Sequence, residues 1–317
     1  MATETDDPLA PYRAELRAHC YRMLGSPHDA EDVLQEVSVR AWRGRREFQG
    51  RSSLRTWLHR IATNACLNEL HRKERRVLPV DVVPAAATGA PLGEPLHEVP
   101  WLEPVPDDPE QRAADRESVE LAFVAAVQHL SANERAALLM FDVLGFSAAE
   151  IADALDTTRA SVNSALQRAR RQVDERLPDR SQQATLAALG DDGQRRLVER
   201  YTSALQRHDV DGILTLLSED ATWSMPPLPN WYRGHEAIAG FLAQGPFTVE
   251  WRHRTARANG QLAVAAYAWD KTLGAFAAYA LDVLELHGDR VASIVAFLGG
   301  ERFDAFGLPP VVSDRAR

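Results

Sequence analysis

The protein is a chain of 317 residues, of which 45% are hydrophobic and 26% charged, a composition typical of soluble globular proteins with two or three domains. Its net charge of −9 argues against binding to nucleic acid, unless the positive charges are concentrated in one part of the chain. The sequence contains neither a recognisable signal peptide nor an apolar run of the roughly 20 residues that cross a bilayer, so we expect neither a secreted nor a membrane-spanning protein.

The first segment, from about Tyr12 to Arg76, has the apolar spacing of α-helices. A Gly-Ser-Pro turn at 25–27 interrupts the pattern, and Ser53 is placed to cap a further helix. Cys20 and Cys66 fall within the helical patterns and lack the spacing of a metal site. They predict reduced core thiols in a cytoplasmic protein, for which we expect no metal and no cofactor.

Positive charges are concentrated towards the end of this segment. From Arg40 to Arg76 there are 11 Arg or Lys against 3 Glu, a net charge of +8, whereas residues 77–117 carry 9 Asp or Glu against 2 Arg, a net charge of −7. Phe48, Trp57 and His59 lie among the basic residues. Basic side chains neutralise phosphates and aromatic faces receive unstacked bases, so the pattern favours melted DNA as a ligand. An ordinary solvated basic helix is the alternative on composition alone.

A proline-rich stretch follows, with eight of the 18 prolines between Leu78 and Arg112. This density prevents a regular helix and predicts a linker over residues 77–117. The linker contains one apolar island, Val-Pro-Trp-Leu at 99–102. We expect Trp101 and Leu102 to anchor the linker on a protein surface, either that of the C-terminal domain or that of a partner.

A second helical block extends over residues 118–178. The stretch SAAEIADALDTTRASVNSALQRARRQV predicts a helix-turn-helix, with the turn and a helix cap at 156–158. In such a motif the second helix reads the major groove of DNA. Its candidate contacts are Arg159, Ser161, Asn163, Ser164, Gln167, Arg168 and Arg171. By pattern alone, an antiparallel helix pair in an ordinary all-α protein is the alternative.

The last block, residues 194–310, begins with a helix and continues with strands, which predicts an α+β domain. Asn259-Gly260 and residues 287–289 are the turns of two predicted hairpins, so we expect an antiparallel sheet. Six aromatic residues are candidates to line an apolar cavity, with plain core packing as the alternative: Trp223, Trp231, Tyr232, Trp251, Tyr267 and Trp269.

Acid-base chemistry in the last block would need titratable side chains at a cavity. The candidates are His235, His253, Asp270 and Asp282, and none of them forms a recognisable catalytic spacing. We therefore expect that the protein is not an enzyme.

The order of the segments carries a family resemblance. The stretch DAEDVLQEVSVRAWRGRREFQGRSSLRTWLHRIATNACLNELHRKERR resembles region 2 of the sigma-70 family, and LSANERAALLMFDVLGFSAAEIADALDTTRASVNSALQRARRQV resembles region 4. The gap between them has no room for a region 3 domain, as in the extracytoplasmic-function (ECF) branch. The last block resembles a SnoaL-like domain, a cone-shaped fold in which a curved sheet and helices enclose a cavity. The implied architecture is multidomain, with two all-α regions followed by an α+β domain.

The resemblance implies roles for matching residues. Docking on the β′ clamp helices of core RNA polymerase is implied for Asp32, Gln35, Glu36, Arg40 and Trp42. For Trp42, packing in the core is the alternative. The resemblance implies that the following residues melt and read the −10 promoter element: Arg55, Trp57, Arg60, Asn64, Asn68, Arg72 and Lys73. Reading of the −35 element falls to the helix that begins at Arg159.

The sequence thus predicts four segments: region 2 (8–76), an acidic linker (77–117), region 4 (118–178) and a regulatory SnoaL-like domain (194–310). The predicted partners are core RNA polymerase, through its β′ and β subunits, and promoter DNA. The resemblance implies that the C-terminal domain replaces a separate anti-sigma factor, and it leaves room for a small-molecule ligand. Two alternatives are a one-component helix-turn-helix regulator with a sensing domain and a fused enzyme.

Overall fold

The structure is a computed structural model that describes residues 9–45, 48, 50, 52–107 and 119–313. The described chain divides into two units. A helical unit contains residues 9–76 and 119–178, and a second unit contains residues 77–107 and 179–313. The described part of the predicted linker therefore belongs with the C-terminal domain, and residues 108–117 lie outside the described chain.

The N-terminal block (residues 9–76) contains helices α1 (Arg13–Leu24), α2 (Pro27–Gly44) and α3 (Leu54–Leu70). Helix α1 ends because Gly25 adopts a left-handed conformation, with φ of 71°, and donates its N–H to the carbonyl of Tyr21. The hydroxyl of Ser26 caps α2, and that of Ser53 caps α3 as the sequence predicted. Both cysteines are buried.

The helix-turn-helix block (residues 119–178) contains α4 (Leu121–Gln128), α5 (Ala132–Leu138), α6 (Ala148–Ala154) and α7 (Arg159–Asp174). One π-helical turn, Leu139–Val143, extends α5. The predicted turn between α6 and α7 is present, with Asp156 at φ of 49°. The hydroxyl of Thr158 accepts a hydrogen bond from the N–H of Ser161 and caps α7. The sequence therefore encodes both the turn and the start of the exposed second helix.

The C-terminal domain (residues 179–313) begins with α8 (Gln182–Gln206), which is kinked at Gly190, and α9 (Val210–Leu214). Helix α10 (His235–Gln244) lies between the second and third strands in chain order. The strands are β1 (Leu217–Ser224), β2 (Trp231–Arg233), β3 (Trp251–Ala258), β4 (Gln261–Asp270), β5 (Ala275–His287), β6 (Arg290–Leu298) and β7 (Val311–Val312).

These strands form one sheet in the order β2-β1-β6-β5-β4-β3, and β7 pairs with β5. The two predicted hairpins are the β3–β4 and β5–β6 pairs. Asn259 and Gly260 both have positive φ, at 56° and 70°, as a tight hairpin turn requires. The predicted sheet was antiparallel throughout, whereas β1 pairs with β6 in parallel. The difference arises because the β3 to β6 meander returns beside β1 in the same direction, which local hairpin signals do not encode.

One face of the sheet packs on the helices around a large apolar core. The core includes Tyr201 from α8, Trp223 from β1, Phe241 from α10, Val264 from β4 and Ile294 from β6. Burial of this face positions the strands that surround the cavity described below. Within the described ranges, no helix is long and apolar enough to span a membrane.

Candidate functional site

An exposed stripe runs along α2. Its members are the five residues predicted to dock on polymerase: Asp32, Gln35, Glu36, Arg40 and Trp42. Trp42 is 65% exposed, and Val39 beside it is also exposed. Glu36 and Arg40 form an ion pair at 2.6 Å. A large aromatic side chain left in solvent beside paired charges is typical of a protein-binding surface, and it contradicts core packing of Trp42.

Arg55, at the start of α3, contacts both blocks of the helical unit. Its Nε donates to the carboxylate of Glu15 in α1 at 2.9 Å. Its guanidinium also donates to the carbonyl of Leu144 at 3.0 Å and lies over the ring of Phe146. Burial opposes ionisation of Glu15, but the nearby His59 and the hydrogen-bonded Arg55 outweigh it and hold the pKa of Glu15 at about 2. Arg55 is therefore an ionic and packing link to the helix-turn-helix block.

Further along α3, two more predicted −10 residues contact α6. Arg60 forms an ion pair with Asp153 at 3.2 Å. The side-chain amide of Asn64 donates to the carbonyl of Ala154 at 3.4 Å. Thr56, one turn before Arg60, donates to Glu150 at the start of α6. Part of the predicted −10 surface is thus covered by α6, the first helix of the helix-turn-helix.

The remaining predicted −10 residues lie elsewhere on and after α3. Asn68 and Arg72 are exposed. Lys73 forms ion pairs with Asp29 at 2.9 Å and with Glu69 at 2.8 Å, and these partners raise its pKa. Trp57 is half-buried against Phe48, with the two ring centres 5.2 Å apart. The seven residues therefore do not form one continuous exposed surface in the described structure.

A buried polar contact, which the sequence analysis did not identify, also joins the two blocks. Arg135 of α5, only 2% exposed, donates to the carbonyl of Met23 at the end of α1. Gln128 of α4 donates to the adjacent carbonyl of Arg22 at 3.1 Å and accepts from Arg135 at 2.7 Å. These two side chains satisfy carbonyls that α1 leaves free at its C-terminus. Burial lowers the pKa of Arg135 to about 10, so the side chain stays charged at neutral pH.

Helix α7 presents its predicted DNA contacts to solvent. All seven are exposed, while Val162, Leu166, Ala169 and Val173 face the core. Arg168 pairs with Glu134 at 2.7 Å, and Arg170 pairs with Asp142 within the same block. The outer face is polar and basic and begins at a capped helix N-terminus. This geometry suits a helix that enters the major groove.

The linker is docked along the C-terminal domain. The indole N–H of Trp231 donates to the carbonyl of Val83 at 2.8 Å, and the N–H of Ala86 donates to the carbonyl of Trp231. Near its other end, Val105 exchanges two hydrogen bonds with Asn259, each of 2.9 to 3.0 Å. A proline-rich segment with one short 3-10 helix, Pro79–Asp81, thus binds the domain through specific hydrogen bonds of its backbone.

Trp101 and Leu102 lie within this docked stretch. Leu102 is 1% exposed and Trp101 is 9% exposed. The Trp101 indole donates to the carbonyl of Leu96 at 2.9 Å, and Leu102 and Val77 pair through their backbones. The two side chains are buried in the same unit as the C-terminal domain. Their role as the anchor of the linker remains a prediction.

The C-terminal domain contains a partly open cavity of about 240 Å³ against one face of the sheet. Apolar side chains form most of its wall, among them Leu205, Met225, Leu228, Phe241 and Leu298. Leu92 of the linker also lines the cavity and is 48% exposed, which places it at the edge.

Two of the six predicted aromatic residues, Trp223 and Trp251, line the cavity. The other four have different neighbours. Tyr232 stacks on Phe241 at 4.6 Å, and Trp231 binds the linker. Tyr267 and Trp269 pack against Phe303 and Phe276 respectively. Their assignment to the cavity is therefore corrected, because the alternation of side chains along a strand and hydrogen bonding to the linker direct them elsewhere.

Two of the four predicted titratable candidates, His253 and Asp282, meet at this cavity. Asp282 accepts a hydrogen bond from the hydroxyl of Tyr201 at 2.9 Å. Burial raises the pKa of Asp282 to about 7, although this hydrogen bond opposes the shift. Burial also lowers the pKa of His253 to about 4, so its ring is neutral at pH 7.

The other two candidates are apart from the cavity. His235 hydrogen-bonds through Nε2 to the carbonyl of Ser218, and Asp270 accepts from the N–H groups of Thr272 and Leu273 in a turn. Sequence reasoning missed Leu92 as a cavity residue, and it missed Tyr201 as the hydrogen-bond partner of Asp282. Tyr201 is the apolar-spaced aromatic of α8, and no local pattern distinguishes it from a core residue.

Comparison with known families gives three matches in chain order. Sigma-70 region 2 matches residues 9–76, Sigma-70 region 4 matches residues 120–173, and the SnoaL-like domain matches residues 198–294.

Relatives of the whole chain and of its helical part are known. The ECF RNA polymerase sigma factor SigG of Mycobacterium tuberculosis is 46% identical over 312 residues, covering 94% of this chain and 82% of the relative. The RNA polymerase sigma-H factor of Pseudomonas aeruginosa is 31% identical over 166 residues, covering 52% of this chain and 82% of the relative.

Among solved structures, the ECF sigma factor SigJ of Mycobacterium tuberculosis aligns with a TM-score of 0.62 and covers 95% of this chain and 100% of that one. The sequence identity is 20%, so the alignment supports the fold. The alignment extends over the helical regions and the helix-plus-sheet domain together.

Proposed function

The chain belongs to the ECF sigma factors of the sigma-70 family and directs promoter-specific transcription initiation by RNA polymerase, and on this premise we propose that its C-terminal SnoaL-like domain modulates that activity through the linker. The observation that carries the proposal is the hydrogen-bonded docking of residues 77–107 on the domain. Both ends of this segment continue into the helical unit. A change in how the linker docks therefore alters the tether between regions 2 and 4.

In the proposed mechanism, the exposed stripe on α2 binds core polymerase. Trp42 supplies a large aromatic contact, and Asp32, Gln35, Glu36 and Arg40 supply polar contacts around it. Aromatic side chains at the centre of an interface typically carry much of the binding energy. The exposure of Trp42 supports this assignment, because a core tryptophan would be buried.

Helix α7 reads the −35 element in this mechanism. Residues in its first turns, such as Arg159 and Asn163, are placed to contact base edges in the major groove. Arg171, two turns after Asn163, is suited to phosphate binding. Their common exposure on one helix supports a single binding surface.

For α3 we propose a closed and an open form. The described contacts of Arg55, Arg60 and Asn64 with the helix-turn-helix block represent the closed form. The same side chains contact the −10 element once these bonds have broken. The Arg60–Asp153 pair is exposed and costs only about 1 kcal/mol or less to break, whereas the bonds of Arg55 and Asn64 are part-buried, so polymerase binding must supply the free energy that opens them.

The C-terminal domain acts here as a regulatory part of the chain and not as an enzyme. A separate anti-sigma factor is not required in this proposal, because the regulatory surface is already covalently attached. The protein acts in the cytoplasm, where core polymerase and promoter DNA are found. A one-component regulator is the second candidate, but the exposed Trp42 stripe on α2 favours the polymerase-dependent mechanism.

The test is promoter-directed transcription with purified core polymerase. We compare the full chain, the full chain carrying Trp101→Ala, and a chain that ends after Pro178. Modulation by the domain predicts that both altered chains change initiation in the same direction: a gain indicates inhibition, and a loss indicates assistance. The proposal fails if all three initiate equally. Tight binding of the full chain to duplex promoter DNA without polymerase would support the one-component regulator instead.

A further inference from the structure

The cavity of the C-terminal domain combines an apolar wall with two polar groups that have spare hydrogen-bonding capacity. Asp282 lines the cavity and accepts one hydrogen bond, from Tyr201 through Oδ2. The Nδ1 atom of His253, which also lines the cavity, is buried without a hydrogen-bond partner in the described chain. Buried polar atoms normally have partners, so an unpartnered one at a cavity indicates a site for a ligand.

We propose that this cavity binds a neutral, largely apolar molecule that carries one hydrogen-bond acceptor, such as a ketone oxygen, placed to receive a hydrogen bond from the carboxylic acid of Asp282. Because a cavity of 150 Å³ holds benzene, about ten non-hydrogen atoms fit the observed volume. The ligand deepens the proposed function by supplying a signal to the regulatory domain. Its binding is measurable without transcription.

The electrostatics of the wall determine this ligand class. Burial raises the pKa of Asp282 to about 7, so its acid form, which donates a hydrogen bond, is populated at neutral pH. Burial also raises the pKa of Tyr201, which keeps its proton and donates it to Asp282. His253 is neutral. Among the titratable side chains that line the cavity, none supplies a compensating positive charge, so a charged ligand would be desolvated without compensation.

Leu92 connects the occupant with the linker. Its side chain lines the cavity from residues 77–107, whereas the rest of the wall comes from residues 205–298. An occupant therefore contacts both the domain and the docked linker. We expect occupancy to stabilise this docking, since a ligand that binds the docked form shifts the equilibrium towards it.

The probe is α-tetralone, a bicyclic ketone of suitable size, with tetralin as the matched hydrocarbon that lacks the acceptor. Trp223 and Trp251 line the cavity, so binding to the full chain is followed by tryptophan fluorescence and by calorimetry. We expect one site per chain with a Kd on the order of 100 µM for the ketone. Tetralin should bind about tenfold more weakly, because it leaves the Asp282 donor unpaired.

Two variants and a control complete the test. Ala280→Leu fills the cavity and should weaken α-tetralone binding at least about tenfold, whereas Leu273→Ala, at an exposed position outside the cavity wall, should leave it unchanged. The double change Tyr201→Phe with Asp282→Leu removes both polar partners together. It should abolish the preference for the ketone while retaining tetralin binding.

The ligand proposal is overturned if α-tetralone does not bind the wild type at up to about 1 mM. Equal affinity for ketone and hydrocarbon, or binding that Ala280→Leu leaves unaltered, also overturns it. These results are independent of the proposed modulation of transcription. A chain that binds the ketone but initiates equally with and without its C-terminal domain retains the ligand site and loses the proposed regulatory role.

Discussion

Arg60 and Asp153 form an ion pair at 3.2 Å that joins helix α3, predicted to read the −10 element, to helix α6, the first helix of the helix-turn-helix. A residue proposed to bind DNA is thereby occupied by a carboxylate of the same chain. Because phosphate and carboxylate compete for the same guanidinium, the pair opposes DNA binding in the closed form.

Reversal of charge at Asp153 tests the closed form. Asp153→Lys places like charges opposite each other, so we expect the full chain to bind a single-stranded −10 oligonucleotide up to about fivefold more tightly, or by about 1 kcal/mol. The matched control is Asp142→Lys, which breaks the pair with Arg170 inside the helix-turn-helix block. Equal gains from both variants would show that added positive charge alone is responsible.

Trp42→Ala tests the polymerase surface. Since Trp42 is 65% exposed, we expect the thermal midpoint of the free chain to stay almost unchanged. Affinity for core polymerase should fall by about 2 kcal/mol, as for an aromatic residue central to an interface. Trp42→Phe should restore part of the affinity. Unchanged polymerase binding in Trp42→Ala would exclude the assignment.

Helix α7 contains residues expected to differ in the kind of contact that they make. Asn163→Ala should reduce the free energy of binding to the preferred −35 sequence by about 1–3 kcal/mol and relax selectivity at one base pair. Arg171→Ala should weaken binding to all sequences alike and lower its salt dependence. Both are measured on the polymerase complex with a panel of −35 variants. The assignment fails if Arg171→Ala changes selectivity and Asn163→Ala does not.

Docking of the linker can be weakened at one hydrogen bond. Asn259→Gly tolerates the positive φ of 56° and retains the backbone N–H, but removes the side-chain oxygen that accepts from the N–H of Val105. The hydrogen bond contributes about 1 kcal/mol to docking of the linker, so its loss should increase the hydrogen-exchange rate of the Val105 amide about fivefold. The Ala86 amide, which bonds to Trp231, is an internal control and should keep its protection. Equal loss at both amides would instead indicate unfolding of the domain.

The stability of the C-terminal domain should depend on the ionisation of Asp282. Its pKa in the folded chain is raised from 3.8 to about 7, so its contribution is fully present below pH 4 and declines as pH rises to about 7. The neighbouring titratable groups are Tyr201 from α8 and His253 from β3. In the wild type, the free energy of unfolding should fall by on the order of 2–4 kcal/mol between pH 4 and 8, and Asp282→Asn should flatten this decline. Identical pH profiles in thermal or urea unfolding would contradict the shift.

Much of the fold could be predicted from local signals. Ser53, Thr158 and the Asn259-Gly260 turn each encode a helix start or a hairpin through their own side chains or backbone preferences. The parallel β1–β6 pair was missed because its partners are separated by about 70 residues of intervening chain, and no local pattern specifies such a pairing.

The site was predicted less completely, for the same reason. The exposed residues of α2 and α7 follow directly from helical periodicity, since the apolar side of each helix fixes the opposite side as exposed. In contrast, the neighbours of Arg60 and Asn64 come from α6, about 90 residues later. Which side chains reach the cavity likewise depends on how strands and linker meet, so the lining by Tyr279 and Leu92 could not be predicted.

The discontinuity of the helical unit has a consequence for biosynthesis. Residues 77–107 leave the ribosome before the β3–β4 turn on which Val105 docks has been synthesised. A nascent chain therefore completes both DNA-reading blocks while its linker has no docking surface. This end of the linker can dock only after the β3–β4 turn has been synthesised, and a translation product released after region 4 would combine intact DNA-binding helices with a linker that has no docking surface.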